Sequence, residues 1–152
     1  MRTFERSLPM SLLKAREAVM KKFIPHLRAH DLSPQQWRVL RALYDSQGME
    51  MSILSERCFL LMPSLSRIVQ NLEARELISR RIAEHDQRCS IISLAKKGYE
   101  LVELMAPESE ARYEHITRVF GYGKLELLYE LLEELVEKLE EADKPSALSE
   151  TE

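Results

Sequence analysis

Cysteine is scarce in this chain, with only Cys58 and Cys89 among 152 residues. The two fall in different predicted elements, with no Cys-x-x-Cys spacing and no neighbouring histidine pair, so neither a zinc site nor a disulfide framework is indicated. A structural role as small apolar side chains is expected of both, with oxidant sensing as the competing reading. Histidine is nearly as sparse. His26, His30, His85 and His115 lie in separate elements and offer no close ligand set, so no metal and no cofactor are expected. No apolar run approaches the roughly 20 residues of a membrane span. The amino-terminal stretch, interrupted by Glu5, Pro9 and Lys14, lacks the form of a secretory signal, which makes a cytoplasmic protein the expectation. A nucleophile elbow, a phosphate-binding loop, a paired-carboxylate arrangement and internal repeats are also missing, so catalysis is not expected.

What is present is enough apolar residue, 45% of the chain, for one domain with a core or a domain plus an oligomerisation element. The formal net charge of −3 argues against a nucleic-acid binder until it is resolved by region. Between residues 67 and 97, seven Lys or Arg face four acids, whereas residues 126–152 hold ten acids and two lysines. An acidic end therefore hides a basic middle, and a phosphate partner responds to the local field.

That basic middle, residues 62–98, has the order helix, strand, charged tip, strand and opening of a further helix. Leu65, Ile68, Val69 and Leu72 share one face of the first helix, while Pro63, Ser66, Arg67, Gln70 and Asn71 fall opposite. Pro63 suits a first turn, and Ser64 and Ser66 place hydroxyls at the positive end of the helix dipole, which attracts anions. The hairpin carries Arg80 and Arg81 outward, His85, Asp86, Gln87 and Arg88 at its tip, and a β-rich return over 89–94. Alternation along the strand directs only one of Arg80 and Arg81 towards phosphates, with Arg81 the candidate. The pattern is that of a winged helix-turn-helix, with Ser64, Ser66, Arg67, Gln70 and Asn71 entering the major groove and the wing beside it.

Elsewhere, apolar spacing predicts a helix over 7–30, interrupted in its stripe by Arg16 and kinked or ended at Pro25. Arg16 must reach water or find an anion. Ser33-Pro34-Gln35-Gln36 has the form of a capping box that opens a helix running to about Gln47, with Trp37, Val39, Leu40, Leu43 and Tyr44 inward and Arg41 beside Trp37. Ser52 is expected to cap a short helix through Cys58. Phe59-Leu60-Leu61 then makes an apolar turn packed under the next helix, with Leu61 facing inward. After the hairpin, a helix over 96–120 is expected to be interrupted and bent by Pro107, Gly121-Tyr122-Gly123 breaks the chain, and a leucine-rich helix spans 124–141. Its apolar residues exceed the needs of one small core, and residues 142–152 lack periodicity and are expected to be disordered. The predicted fold class is thus mainly α with a small β-hairpin wing. Residues 1–141 form one domain, the winged unit spans about 33–96, and the flanking helices, about 7–30 and 97–141, pair two subunits. A homodimer would present two reading helices about one DNA turn apart to a palindromic double-stranded operator.

Across residues 7–141 the chain resembles the MarR family of transcriptional regulators. The likeness is carried by residues 33–40 (Ser33-Pro34-Gln35-Gln36-Trp37-Arg38-Val39-Leu40), by 63–69 followed by Leu72-Glu73, and by Asp86-Gln87-Arg88, whose Asp-x-Arg is the family's best-known signature. Within the family, Arg6-Ser7-Leu8-Pro9 together with the wing motif is similar to regulators of homoprotocatechuate and related phenolic-acid catabolism. One departure is Ala95 where the family usually has Thr. Ser93 is the candidate replacement cap.

The resemblance implies that Arg88 enters or approaches a minor groove with Asp86 orienting it, against the plainer reading of a surface ion pair. It also implies an effector pocket between the dimerisation helices and the DNA-binding lobe. Arg16, Met20 and Phe23 set against Trp37 and Arg41, with a hydroxyl from Ser7, would make an apolar slot with a cationic end, suited to an aromatic acid. The alternative for Arg16 is a carboxylate of the partner subunit. The expected function is a repressor of an aromatic-acid catabolic operon, released by a phenolic or aromatic carboxylate. A redox-responsive regulator using Cys58 or Cys89, and a helical protein–protein adaptor without DNA binding, are the alternatives.

Overall fold

Residues 1–145 are described in the computed structural model. After a short 3-10 turn, Phe4–Arg6, come the helices α1 (Leu8–Ala29) and α2 (Pro34–Tyr44), strand β1 (Met49–Glu50), helices α3 (Met51–Cys58) and α4 (Met62–Ala74), strands β2 (Ile78–Ile82) and β3 (Ser90–Leu94), and helices α5 (Lys96–Phe120) and α6 (Tyr122–Ala142). The strands form an antiparallel sheet in the order β1-β3-β2, with Ile78 opposite Leu94, Ile82 opposite Ser90 and Met49 opposite Ile92. Mainly helical, with a wing of three strands rather than two, the fold class is the predicted one.

The chain divides into two compact units, Met1–Arg112 and the residues from Tyr113 onward. The core belongs to the first. It runs from Leu27 to Met105 and joins Val39, Leu40 and Leu43 of α2, Leu54 and Cys58 of α3, Leu65, Val69 and Leu72 of α4, Ile92 and Leu94 of β3, and Val102 of α5. In the second unit, α6 has no buried residue, and Leu127, Leu128, Leu131, Leu132, Val136 and Leu139 are all exposed.

Several boundaries differ from the expected ones, each for a local reason. α1 continues through Pro25, which was expected to kink or end it. A proline so near the carboxyl end costs one hydrogen bond, to the Lys21 carbonyl, and the flanking Phe23, His26 and Leu27 are buried. Likewise α5 is one helix through Pro107, where an interruption was expected. His26 braces the proline from outside: its Nε2 lies 3.3 Å from the Met105 carbonyl and its Nδ1 pairs with the Glu108 carboxylate.

α2 stops at Tyr44, not Gln47. The Ser46 N–H and hydroxyl both donate to the Leu43 carbonyl, at 3.0 and 3.1 Å, and replace the next turn. α3 begins directly from β1 at Met51, with Glu50 in the cap position, so Ser52 lies inside the helix and does not cap it. The turn after α3 is not packed under α4: Phe59, in a left-handed conformation with φ 52°, is 90% exposed, and Leu61 is 78% exposed.

Ser93 does not cap α5, because its hydroxyl donates to the Gln47 carbonyl at 3.3 Å. The helix starts at Lys96, and the Ala95 carbonyl accepts from Gly98 and Tyr99. The break before α6 is Gly121 alone, at φ 107°, so Tyr122 and Gly123 are helical. Of the predicted disordered tail, residues 146–152 lie outside the described residues.

Candidate nucleic-acid interface and effector residues

α4 buries Leu65, Val69 and Leu72 and turns Ser64, Arg67, Gln70 and Asn71 outward, with Ser66 half-buried. The 3.6-residue period predicts this division except at Ser66, expected outward, and Ile68, expected inward, which are both half-buried. The helix has no side-chain cap at Leu61, and Pro63 in its first turn has no N–H to satisfy. Three side chains fix its two ends. Arg38 donates through Nη1 to the Cys58 carbonyl at 2.9 Å, closing the end of α3, and Ser55 Oγ donates to the Leu60 carbonyl at 2.6 Å, shaping the turn. Arg75 donates to the Asp31 carbonyl at 2.9 Å and the His30 carbonyl at 3.4 Å, pinning the far end of α4 to the α1–α2 corner.

In the wing, pairing continues one step past β2 and β3 through Ala83 N–H to the Cys89 carbonyl. The tip then folds around Asp86. Its carboxylate accepts from Arg88 N–H at 2.9 Å, from Arg88 Nε at 3.3 Å and from the Cys89 thiol at 3.7 Å, while its carbonyl accepts from Cys89 N–H. The Arg88 side chain nevertheless stays 91% exposed, held at its base with its outer edge free. Arg80 is taken by Glu73 of α4 at 3.7 Å, whereas Arg81 has no ion-pair partner among the described residues. Gln87 is exposed, and His85 reaches Glu50 at 3.2 Å, tying the tip to the strand that leads into α3.

The hydrogen bonds from Arg88, backbone first, hold the Asp86 carboxyl below its ordinary value. A depressed carboxylate contributes order that is present above its ordinary value of 3.8 and is lost as pH falls from there through the folded one. Protection of the Arg88 and Cys89 amides, taken against their pH-dependent intrinsic exchange rates, should therefore be unchanged by titration from pH 8 to about 5 and be lost only in the acid range. Loss of protection across neutrality would show that Asp86 does not hold the turn.

Neither thiol has its pKa lowered towards the reactive range. Cys58 is fully buried, and burial raises its pKa. At Cys89 desolvation and then the Asp86 charge do the same. Both remain largely protonated at neutral pH, the unreactive form.

The predicted effector residues lie on α1 and α2 or just before them. Ser7 stands in the cap position of α1 without a side-chain bond there, and its carbonyl accepts from the Ser11 hydroxyl at 3.1 Å. Arg16 finds its anion on its own helix, Glu17 at 3.4 Å, and remains half-exposed. Phe23 is buried, Met20 and Trp37 pack against the edge of the core, and the Arg41 guanidinium lies 5.5 Å from the Tyr44 ring centre. A cavity of about 460 Å³ at the α1–α2 corner is lined by Ile24, Arg28, Asp31, Leu32, Ser33 and Pro34, none of them among the six predicted residues.

A chain of this form has relatives. Residues 30–88 match the family model described as MarR family. The homoprotocatechuate degradative operon repressor of Escherichia coli is 38% identical over 130 residues, covering 86% of this chain and 88% of the repressor. The chain belongs to the MarR family. It is a DNA-binding transcriptional regulator of the winged helix-turn-helix kind, not an enzyme. The HTH-type transcriptional regulator FarR of Neisseria gonorrhoeae is 36% identical over 136 residues, covering 90% of this chain and 92% of FarR. The crystal structure of NadR in complex with 4-hydroxyphenylacetate superposes with a TM-score of 0.77 at 34% identity, over 89% of this chain and 96% of that one.

Sequence reasoning missed the residues that hold α4 in place. Spacing marks Gln36 only as part of a capping box, yet its Nε2 also donates to Asn71 Oδ1 at 2.9 Å. A polar contact across 35 residues leaves no periodic trace. The guanidinium groups of Arg38 and Arg75 end on backbone carbonyls, which any sequence supplies.

Proposed function

We propose that this MarR-family regulator acts as a homodimeric repressor of an operon for aromatic-acid catabolism and is released by a phenolic or aromatic carboxylate. The observation that carries this reading is twofold similarity: 38% identity to a repressor of homoprotocatechuate degradation and 34% identity to a regulator crystallised with 4-hydroxyphenylacetate. Both extend over more than four-fifths of the chain.

The chemistry of the side chains supports it. Met20, Phe23 and Trp37 supply apolar and aromatic surface, Arg16 and Arg41 supply cations for a carboxylate, and Ser7 supplies a hydroxyl. On the DNA side, Ser64, Ser66, Arg67, Gln70 and Asn71 would enter a major groove, while Arg81, Asp86, Gln87 and Arg88 would form the wing contact. The helices about 7–30 and 97–141 would join two subunits. Leu12, Leu13 and Val19 on α1, and the exposed leucines of α6, are apolar area that a single subunit leaves in water.

Titration with 4-hydroxyphenylacetate is expected to quench Trp37 fluorescence, to raise the melting temperature, and to lower affinity for the operator. At a ligand concentration 100 times its Kd, linkage gives a stabilisation of about 2.7 kcal/mol. A panel of hydroxylated phenylacetates and benzoates that produces no quenching, no thermal shift and no loss of operator binding would refute the effector class. A protein that sediments as a monomer at micromolar concentration would refute the dimer.

A further inference from the structure

Asn71 belongs to the outward face of α4, and its amide has a direction that a backbone group two helices away decides. The Ser33 N–H can only donate, and it donates to Gln36 Oε1 at 2.9 Å. The oxygen of the Gln36 amide is thereby committed to the α2 cap, so the group it turns towards α4 is the nitrogen. That Nε2 is 2.9 Å from Asn71, and a donor there requires Asn71 to answer with its oxygen, Oδ1. The remaining polar group of Asn71, the Nδ2 amine with its two N–H bonds, is left as the one offered outward. The Ser33 hydroxyl, which accepts from Gln36 N–H at 3.1 Å, completes the box and holds the glutamine in place.

We propose that Gln36 is a positioning residue for base readout: it orients Asn71 so that the DNA meets an amide donor and Asn71 selects a base with a major-groove acceptor. A free asparagine can rotate by 180° and offer either end, or pair bidentately with adenine. This one is held in one sense. The acceptors in that groove are guanine O6 and N7, thymine O4 and adenine N7, while cytosine presents only its N4 donor, so cytosine is the base disfavoured at the contacted position. The inference rests on the reading of α4 as the base-contacting helix.

Gln36→Glu isolates the orientation. A glutamate still completes the capping box, because one carboxylate oxygen accepts from Ser33 N–H. The other oxygen now faces Asn71, repels Oδ1 and favours the rotamer that turns Nδ2 inward and Oδ1 towards the DNA. The full-length protein, Gln36→Glu, Asn71→Ala and Arg67→Ala are each used to select duplexes from a randomised 30-base-pair pool, which are then sequenced. Base preference at each position is read rather than overall affinity, which the added negative charge also lowers.

The expected result is one position at which the unmodified protein disfavours cytosine by roughly three- to ten-fold, the worth of one hydrogen bond. Asn71→Ala flattens that preference, and Gln36→Glu reverses it towards cytosine or adenine. Preference that survives Asn71→Ala, or that Gln36→Glu leaves as it was, overturns the proposal. If Arg67→Ala also leaves every position unchanged, it is the placement of α4 in the groove that fails. If Arg67→Ala flattens a position and Asn71→Ala does not, only the Asn71 inference fails.

Discussion

Arg88→Ala is expected to weaken operator binding by roughly 5- to 150-fold at fixed salt, with the oligomeric state and melting temperature unchanged. The magnitude follows from how the residue is held. A freely rotating surface arginine loses rotamer freedom on contact with DNA, which cancels part of the attraction. Arg88 is already restrained near its base by Asp86, while 91% of the side chain remains in solvent. The group is thus restrained before it binds and still exposed enough to reach phosphate or a narrow minor groove.

The competing reading, a surface ion pair and nothing more, predicts no change in binding, because such pairs contribute little in either state. A gel-shift titration of both proteins at 50 and 200 mM salt separates the two. Loss of one phosphate contact should also lower the slope of log affinity against log salt by about one. Asp86→Asn should fall between the two proteins, since an amide oxygen can still accept from the Arg88 N–H but the charge is gone. Equal affinities for the unmodified protein and Arg88→Ala would remove the wing tip from the interface.

The largest effect on stability is expected at Gly98, in the first turn of α5. A β-carbon built there would lie 2.1 Å from the Leu77 carbonyl oxygen and 2.9 Å from a methyl of Leu94. The first neighbour is backbone and cannot move aside, for the Leu77 carbonyl also accepts from Ala95 N–H at 3.0 Å. The approach of α5 to the start of the wing therefore requires a residue with no side chain. Gly98→Ala must separate the two segments and disturb Leu77 and Leu94, both in the core. A cost of about 3 kcal/mol is expected, the upper part of the range for overpacking, although alanine is the better helix former by about 1 kcal/mol. Chemical denaturation read by circular dichroism tests this, with Gly123→Ala as the control: nothing lies within 4 Å of a β-carbon there. Gly123→Ala should be neutral or slightly stabilising, and a Gly98→Ala protein as stable as the original would mean that the junction is looser than these distances require.

The elements that were legible in the chain are those in which local chemistry and burial agree. The Ser33 capping box forms with both reciprocal bonds, α4 divides its faces largely as its period requires, and the wing returns on a β-branched strand. The misread positions share a different character. Pro25 and Pro107 break helices by local rule, yet α1 and α5 run through them, with His26 of α1 meeting Met105 and Glu108 on either side of Pro107. Ser52 and Ser93 are good caps by composition, but β1 occupies the cap position before α3 and the Gln47 carbonyl takes the Ser93 hydroxyl. Phe59 and Leu61 are apolar yet exposed: Phe59 ends α3 in a left-handed conformation, and of the three turn residues it is Leu60 that packs against the core.

By itself, then, the sequence determined the family, the winged helix-turn-helix order and most of the division of α4 into buried and exposed side chains. Those depend on residue type at fixed spacing, and spacing within one helix or strand is already geometry. Only the tertiary structure decided how these groups are held: which of Arg80 and Arg81 is taken by Glu73, what closes the carboxyl end of α3, and which end of the Asn71 amide faces outward. The physical reason is the range of the interactions. Periodicity and capping act over one turn, whereas Gln36 and Asn71, or Arg75 and Asp31, become neighbours only after the core has brought distant segments together.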